Sequence, residues 1–245
     1  WRNEVFATHG KIYEASAAKM YRIPLKDVTP ELRTKGKIAE LALGYGGGVG
    51  ALKRMGADAF LTNHEMQELV YDWRATNPAI VDLWARMEEA AKMALDYPGM
   101  TLRPAPNKDV GFTMVKDTLF LKLPSGRRIA YKNARLALGE YGVEIQYDTF
   151  EQGRWVQAAT YGGKLTENCV QAIARDCLAV ALSRLYKADY IPSFHVHDEV
   201  VVEVKTEKAE RDKAAIELIM SQSIRWAPEL VLKAEAFISE YYRKD

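Results

Sequence analysis

Two adjacent carboxylates and two histidines lie between apolar, β-branched segments in residues 194–204 of this 245-residue chain. The pattern predicts a strand, a tight polar turn and a second strand. A turn at His197 and Asp198 would direct the Asp198 carboxylate outward, where it could bind a divalent cation with Glu199 beside it. A hairpin with a solvated acidic tip explains the same pattern, so this segment alone leaves both readings open.

A second group of residues with possible chemistry is a basic row. Arg33, Lys37, Leu41 and Tyr45 recur at every fourth position and so share one broad face of a helix. Arginine offers a planar fork of donors and lysine a point charge, and both suit a polyphosphate. The alternative is a solvated basic helix face that ends in a glycine cap at 44–48.

The glycines after this row match a nucleotide-binding loop only loosely. Gly46, Gly48 and Ala51 have the spacing of a dinucleotide fingerprint, but they follow a predicted helix rather than a strand. No Gly-Lys-Ser/Thr triplet follows them, which excludes a P-loop at this position.

The composition is that of an ordinary globular protein, with 48% hydrophobic and 27% charged residues. No apolar run approaches the length of a membrane span, and we expect a cytoplasmic location without a membrane partner. Cys169 and Cys177 are about 12 Å apart along a predicted helix, too far for a disulfide, so both should be reduced. Residues 1–56 hold ten Lys/Arg against five Asp/Glu, which leaves −4 for the rest of a chain with net charge +1. A basic segment followed by an acid-bearing one suits a polyanion partner and a metal site.

The elements that must position these residues predict an α+β, helix-dominated fold without regular βαβ alternation. Besides the acidic hairpin, the pattern predicts a hairpin at about 119–131 that turns at 123–126, after a polar, proline-containing stretch at 98–109. Trp73 and Trp84 are expected in the core, and Phe237, Tyr241 and Tyr242 are expected to pack a last helix or strand. Helices are predicted over 11–21, 30–43, 62–96 with an interruption at Asn77-Pro78, 166–187, and 206–225.

Taken together, these segments resemble the family A DNA polymerases, the DNA polymerase I type, and in particular their phage-encoded branch. The fingers-helix motif of that family is Arg, three residues, Lys, seven residues and Tyr-Gly, which Arg33, Lys37 and Tyr45-Gly46 match. The family's palm-hairpin motif is His-Asp-Glu, as at 197–199. Further similar segments are 12–18, 123–127, 161–164 and 171–176.

The resemblance implies that 1–158 form a fingers subdomain, with an inserted β-hairpin, and that 159–245 form the C-terminal part of a palm subdomain. It implies template-directed DNA synthesis from deoxynucleoside triphosphates (dNTPs) on a primer–template, with two Mg²⁺ ions. Implied catalytic residues are Lys37, Asp198 and Glu199, the last two as metal ligands. Implied dNTP-binding residues are Arg33, Lys37, Leu41 and Tyr45, and implied DNA-binding residues are Gly46, Lys164, Gln171 and His197.

Two departures from the family pattern shape these expectations. Leu41 stands where many relatives carry an aromatic residue that packs on the nucleotide sugar. The family's other metal-binding aspartate lies on a palm strand, and residues 1–30 contain no such strand motif. Because the chain also starts at Trp1, we expect a C-terminal fragment that partners a missing N-terminal portion, including thumb and first palm strand, and that is inactive alone.

Two other functions are compatible with the sequence. One is a non-catalytic module that binds DNA or nucleotides through the basic helix and aromatic residues, with salt-sensitive affinity. The other is a metal-dependent phosphodiesterase with His195, His197, Asp198 and Glu199 as ligands. Metal hydrolases normally gather three or more protein ligands, and the two histidines share one short strand, which disfavours this alternative.

Overall fold

A computed structural model of the protein describes residues 1–105, 109–139 and 142–243. The chain divides into two compact units, Trp1–Cys169 and Val170–Asp245. The fold mixes helices with antiparallel sheets, as the sequence predicts. None of the described helices combines the length and the apolar character that are needed to cross a bilayer.

The first unit begins with a group of helices whose ends follow local sequence signals. The side-chain oxygen of Thr29 accepts a hydrogen bond from Leu32 N at 3.3 Å, and a proline occupies the first helical position. Thr62 and Glu65 form a reciprocal capping box at another helix start. The helices are α1 (Arg2–Thr8), α2 (Ile12–Tyr21), α3 (Pro30–Leu43), α4 (Val49–Arg54), α5 (Asn63–Thr76) and α6 (Pro78–Asp96), with short 3₁₀ turns at Leu25–Asp27 and Ala57–Ala59.

These bounds confirm the helices predicted at 11–21, 30–43 and 62–96, including the interruption at Asn77-Pro78. Their core contains the two predicted tryptophans, Trp73 and Trp84. The two rings stack with centroids 6.0 Å apart and an interplanar angle of 7°. Trp73 is fully buried, so the helix group is closed around large aromatic side chains.

A six-stranded antiparallel sheet follows the helices in the first unit. Its strands pair in sequence order, and α6 packs against β1 to β4. Residues that alternate along the inner strands, such as Phe112, Leu119, Leu121 and Tyr131, are buried. The strands are β1 (Thr101–Leu102), β2 (Gly111–Val115), β3 (Thr118–Lys122), β4 (Arg128–Gly139), β5 (Gly142–Glu151) and β6 (Arg154–Thr160).

The predicted hairpin at 119–131 is confirmed as β3 and β4, but it is only the middle of this sheet. The sequence pattern did not predict β1, β2, β5 and β6. In β5 and β6 most side chains are half-buried or exposed, so the strands lack a clear apolar alternation. β1 lies inside the polar, proline-containing stretch 98–109, of which 106–108 are outside the described residues.

Helix α7 (Gly162–Lys187) starts four residues before the predicted Thr166 and continues from the first unit into the second. The second unit adds β7 (Pro192–Val196), β8 (Glu199–Val202), a 3₁₀ turn at Thr206–Lys208 and α8 (Ala209–Met220). The predicted helix over 206–225 is therefore too long. Arg184 donates hydrogen bonds to the carbonyl oxygens of Gln222 and Ser223, at 2.9 and 2.7 Å, which hold this segment in a non-helical form.

The segment 229–243 contains neither helix nor strand, so the predicted last element was wrong. Its contacts nevertheless hold it to the second unit. The Tyr242 ring meets Phe194 of β7 edge to face at 5.0 Å, although Tyr242, like Phe237 and Tyr241, is exposed. Both cysteines are free thiols, as predicted, and burial raises the pKa of Cys169 to about 11.

Candidate functional site

The basic row lies along one side of α3 in the first unit. Arg33, Lys37 and Leu41 are exposed, and Tyr45, just beyond the helix end, is half-buried. Leu41 is 51% exposed, which is unusual for a leucine in a helix that contributes four other residues to the core. The arrangement presents two cations and an apolar side chain to solvent on one surface.

Tyr13 of α2 lies beside both cations of the row. Its ring centroid is 5.6 Å from the guanidinium carbon of Arg33 and 6.0 Å from Nζ of Lys37. Arg33 also donates from Nε to Oε1 of Glu14 at 2.9 Å. Cation–π attraction at these distances favours both cations near the ring, so Tyr13 helps to set where the row points. The sequence alone did not indicate this role of Tyr13.

Gly36 explains how Tyr13 reaches this position. It lies in the middle of α3 and is buried. A Cβ at this position would overlap the backbone oxygen of Tyr13 and crowd Ala17. The absent side chain therefore lets α2 and α3 pack with close backbones. A glycine inside a helical pattern was the available sequence signal for this contact.

Glu40 fixes α3 from another side of the helix. Its carboxylate receives both terminal nitrogens of Arg2 at 2.6 and 2.9 Å, the hydroxyl of Ser16 at 2.6 Å and the indole N–H of Trp73 at 3.0 Å. The Glu40 side chain is only 10% exposed. These contacts join α3 to α2, α5 and the start of α1, which gives the row a rigid support.

The end of α3 rests on the segment that starts α7. Gly46 has a φ of +84°, which favours glycine, and its Cα faces the ring of Tyr161. The Tyr161 hydroxyl donates to the carbonyl oxygen of Tyr45 at 3.4 Å. A Cβ on Gly163 would overlap the same carbonyl group. Tyr45 and Gly46 are therefore held against the first residues of α7.

The predicted DNA-binding Lys164 lies in this first turn of α7. Its Nζ is 3.0 Å from Oε2 of Glu167. Burial and then the charge of Glu167 raise the pKa of Tyr45. Burial also raises the pKa of Tyr147, and the charge of Lys164 partly offsets that rise. Because Glu167 is paired with Lys164 and its charge also acts on Tyr45, Tyr45 and Lys164 lie near the same carboxylate.

Helix α6 anchors the α7 start from the other side. The backbone N–H of Gly162 donates to Oε2 of Glu88 at 2.9 Å, and Lys92 lies 2.7 Å from Oε1 of Glu88. A Cβ on Gly162 would overlap the carbonyl oxygen of Trp84. Gly162 and Gly163 are thus the two points where α7 meets α6 and the end of α3.

The second unit carries the acidic hairpin in its predicted form. The last residue pair between β7 and β8 is Val196 with Glu199, and His197 and Asp198 form the two-residue turn between the strands. His197 has a φ of +50°, a region that histidine enters more readily than most residues. Asp198 is exposed at the tip and Glu199 is half-buried.

The hairpin carboxylates have the donor chemistry that suits Mg²⁺. Within the described ranges, neither the Asp198 nor the Glu199 side chain has a hydrogen-bond or ion-pair partner. In those same ranges no group of three or more His, Cys, Asp and Glu residues is placed to hold a metal ion. The four-ligand phosphodiesterase site with His195 and His197 is therefore not supported. Gln171, the other predicted DNA contact of this unit, is exposed on α7.

This chain is similar to a phage DNA polymerase in sequence and to a polymerase domain in fold. No family model matches the sequence. The DNA polymerase of Bacillus phage SP02 is 49% identical over 253 aligned residues, which cover all of this chain and 38% of the phage protein. The chain thus spans well under half the length of that relative. The polymerase domain of Pol1 from M. smegmatis, solved with a DNA primer–template and dNTP, matches 94% of this chain and 34% of its own with a TM-score of 0.59. At 16% identity this second match shows a common fold.

Proposed function

We propose, from the premise that this chain is homologous over its whole length to a phage DNA polymerase, that it takes part in template-directed DNA synthesis as a family A enzyme. The reaction is attack of a primer 3′-hydroxyl on the α-phosphate of a dNTP, with pyrophosphate as leaving group. The observation that carries the proposal is the exposed row from Arg33 to Tyr45, which ends on a glycine turn with the family's motif spacing.

The basic row, as part of a fingers subdomain, would bind the incoming nucleotide. Arg33 and Lys37 would bind the triphosphate, and their charges would stabilise the departing pyrophosphate. Leu41 would give apolar contact to the sugar, without the ring face that an aromatic residue provides. Tyr45 would lie at the nascent base pair, and Gly46 would let the template strand turn.

Residues of the acidic hairpin and of α7 would bind the metal ions and the primer–template. Asp198 and Glu199 would hold Mg²⁺, consistent with two oxygen-donor groups that lack partners in the described ranges. Two bound Mg²⁺ ions would stabilise the attacking and leaving oxygens. His197 would contact the primer terminus, while Gln171 and Lys164 would contact the strands.

The hairpin supplies two neighbouring carboxylates, and in the polymerase family that this chain resembles a further palm aspartate would help to hold the two ions. We therefore propose that the family's other palm aspartate comes from outside these 245 residues, and that the chain alone does not extend a primer. We also propose that the protein acts in the cytoplasm of a bacterial host.

Primer extension tests this proposal with two proteins. One is the 245-residue chain, and the other is an extended polymerase that adds the palm strand with the missing aspartate. With Mg²⁺, dNTPs and a primer–template, we expect synthesis by the extended polymerase only. Robust synthesis by the 245-residue chain would contradict the proposal that one metal-binding aspartate lies outside this chain. Absence of synthesis by both, with DNA binding retained, would favour the non-catalytic DNA-binding module.

A further inference from the structure

The six-stranded sheet carries an exposed surface that the proposed polymerase site does not use. One side of the sheet is buried under α6, as the inward Leu119 and Tyr131 show. Cross-strand pairing places a different set of residues together on the opposite side. We name this set the aromatic-basic face: Phe120, Lys122, Arg128, Lys132, Phe150 and Trp155.

The pairing register defines this face. Lys122 lies directly opposite Arg128, and Lys132 is opposite both Thr118 and Asp148 on its two sides. Side chains that are directly opposite in an antiparallel pair point to the same side of the sheet. The register therefore gathers three cations on the middle strands of one face.

The aromatic residues of the face are unusually exposed. Phe150 and Trp155 face each other across β5 and β6, with ring centroids 5.6 Å apart, and each is 59% exposed. Trp73 and Trp84 in the core are at most 8% exposed. Leaving an aromatic pair in water forgoes the free energy of its burial, which indicates a surface that binds something.

The cations are placed over these rings. Nζ of Lys132 is 5.2 Å from the Trp155 ring centroid, and the guanidinium carbon of Arg128 is 6.0 Å from that of Phe120. Asp148, opposite Lys132, accepts a hydrogen bond from Asn133 at 2.6 Å and has Arg135 at 3.9 Å. Its charge is thus shared with other partners, and the face keeps a positive character.

Rings beside cations on an open sheet are a recurrent platform for unpaired nucleic acid, because bases stack on the rings while cations neutralise phosphates. A protein partner would instead favour rings among apolar, charge-poor neighbours. Base stacking requires unstacked bases, so the geometry favours a single strand over a duplex. We propose that the aromatic-basic face binds single-stranded DNA. The inference rests on the proposed function only for the choice of DNA as the polymer.

Binding of a fluorescein-labelled oligothymidylate about 12 nucleotides long, within the usual site sizes, tests this proposal on the 245-residue chain. Fluorescence anisotropy measures the affinity. Trp155→Ala should weaken binding about tenfold through loss of base stacking, and Trp155→Phe should restore most of it. Lys132→Ala should reduce the salt slope by about 0.7, the value for one phosphate contact on a single strand.

Two matched controls lie elsewhere in the first unit. Tyr71 on α5 is 73% exposed, and Lys53 on α4 is also exposed. Tyr71→Ala and Lys53→Ala should leave the affinity and the salt slope unchanged. Equal affinities for Trp155→Ala and Tyr71→Ala would overturn the proposal.

Ultraviolet crosslinking of the unsubstituted chain to the same oligonucleotide gives a second readout that no folding defect can affect. Crosslinked peptides should come from 118–132 and 148–157, and crosslinks confined to other segments would overturn the proposal. Failure of the extended polymerase to synthesise DNA would contradict the proposed function but would leave these binding results interpretable.

Discussion

Lys37 is the residue of the basic row whose contacts leave its charge most available. Its Nζ lies 6.0 Å from the Tyr13 ring centroid, whereas Arg33 is also paired with Glu14. A cation that meets the triphosphate should matter more in the transition state, where charge develops on the pyrophosphate.

We therefore expect Lys37→Ala in the extended polymerase to lower the efficiency of single-nucleotide incorporation about 100-fold or more, in the range for one lost charge-stabilising donor. Rapid-quench primer extension over a range of dNTP concentrations measures it. Lys53→Ala removes an exposed lysine from neighbouring α4 and should have no effect. A Lys37→Ala protein as efficient as the unsubstituted one would remove Lys37 from the site.

At the residue scale, the sequence predicted groups that repeat or stand together and missed those that depend on tertiary contacts. The row at 33–45 follows from helical spacing, and the turn at His197 and Asp198 follows from local polarity. Tyr13 and Glu40 were missed because their contacts join residues on different helices. The periodicity of a single sequence does not reveal a tertiary contact such as the ion pair between Arg2 and Glu40.

At the element scale, the close approach of α2 and α3 depends on Gly36. A methyl group there would overlap the Tyr13 backbone oxygen, which cannot move without displacing the helix. We expect Gly36→Ala to lower the free energy of unfolding by about 1–3 kcal/mol, the usual cost of overpacking. Urea denaturation followed by circular dichroism measures it.

Gly50 in α4 is the matched control, because its added methyl group would meet only the end of the flexible Arg54 side chain, at 3.9 Å. Gly50→Ala should be neutral or stabilise by up to about 1 kcal/mol through helix propensity. Equal stability changes for the two substitutions would show that the α2–α3 contact is looser than described.

The junction of α6 and α7 should respond to pH through Glu88. Burial alone would raise the pKa of Glu88, but hydrogen bonds from Lys92 and from the Gly162 backbone outweigh it, so the pKa lies below its usual 4.5. A lowered pKa in the folded state means that the stabilisation is fully present above about pH 4.5. It is lost as the pH falls through the lower folded-state value.

Glu88→Gln should therefore lower the free energy of unfolding at pH 7 by about 0.5–1 kcal/mol, a modest value because a third of the side chain is exposed. The difference from the unsubstituted chain should shrink towards pH 3. Urea titrations at both pH values measure this, with exposed Glu89→Gln as control. A difference that grows in acid would show that folding does not lower the pKa of Glu88.

The elements themselves were predictable to different degrees. Helices with a proline at the first helical position, such as α3 and α6, agree with the predicted bounds within a residue. The strands β5 and β6 were missed, since most of their side chains are half-buried or exposed and their outer face mixes carboxylates, amides and rings. The rings of this outer face, Phe150 and Trp155, belong to the proposed single-strand surface.

At the scale of the whole molecule, two units carry different parts of the proposed chemistry. The cations and glycines lie in Trp1–Cys169, and the hairpin carboxylates lie in Val170–Asp245. The sequence placed a boundary between fingers and palm at 158/159, which stays a prediction about function. The order of the motifs along the chain, rather than any property of one segment, carries the resemblance to the family A polymerases.

In the proposed function, the Asp198 carboxylate serves the chemical step of nucleotide transfer. Asp198→Asn in the extended polymerase tests it most directly, by rapid-quench kinetics that separate turnover from dNTP affinity. Glu203→Gln, just after β8 and hydrogen-bonded to Ser193 at 3.3 Å, is the control. We predict that Asp198→Asn lowers turnover by orders of magnitude with little change in dNTP affinity, while Glu203→Gln changes neither. Turnover that survives Asp198→Asn would contradict the proposed role of Asp198 in the chemical step.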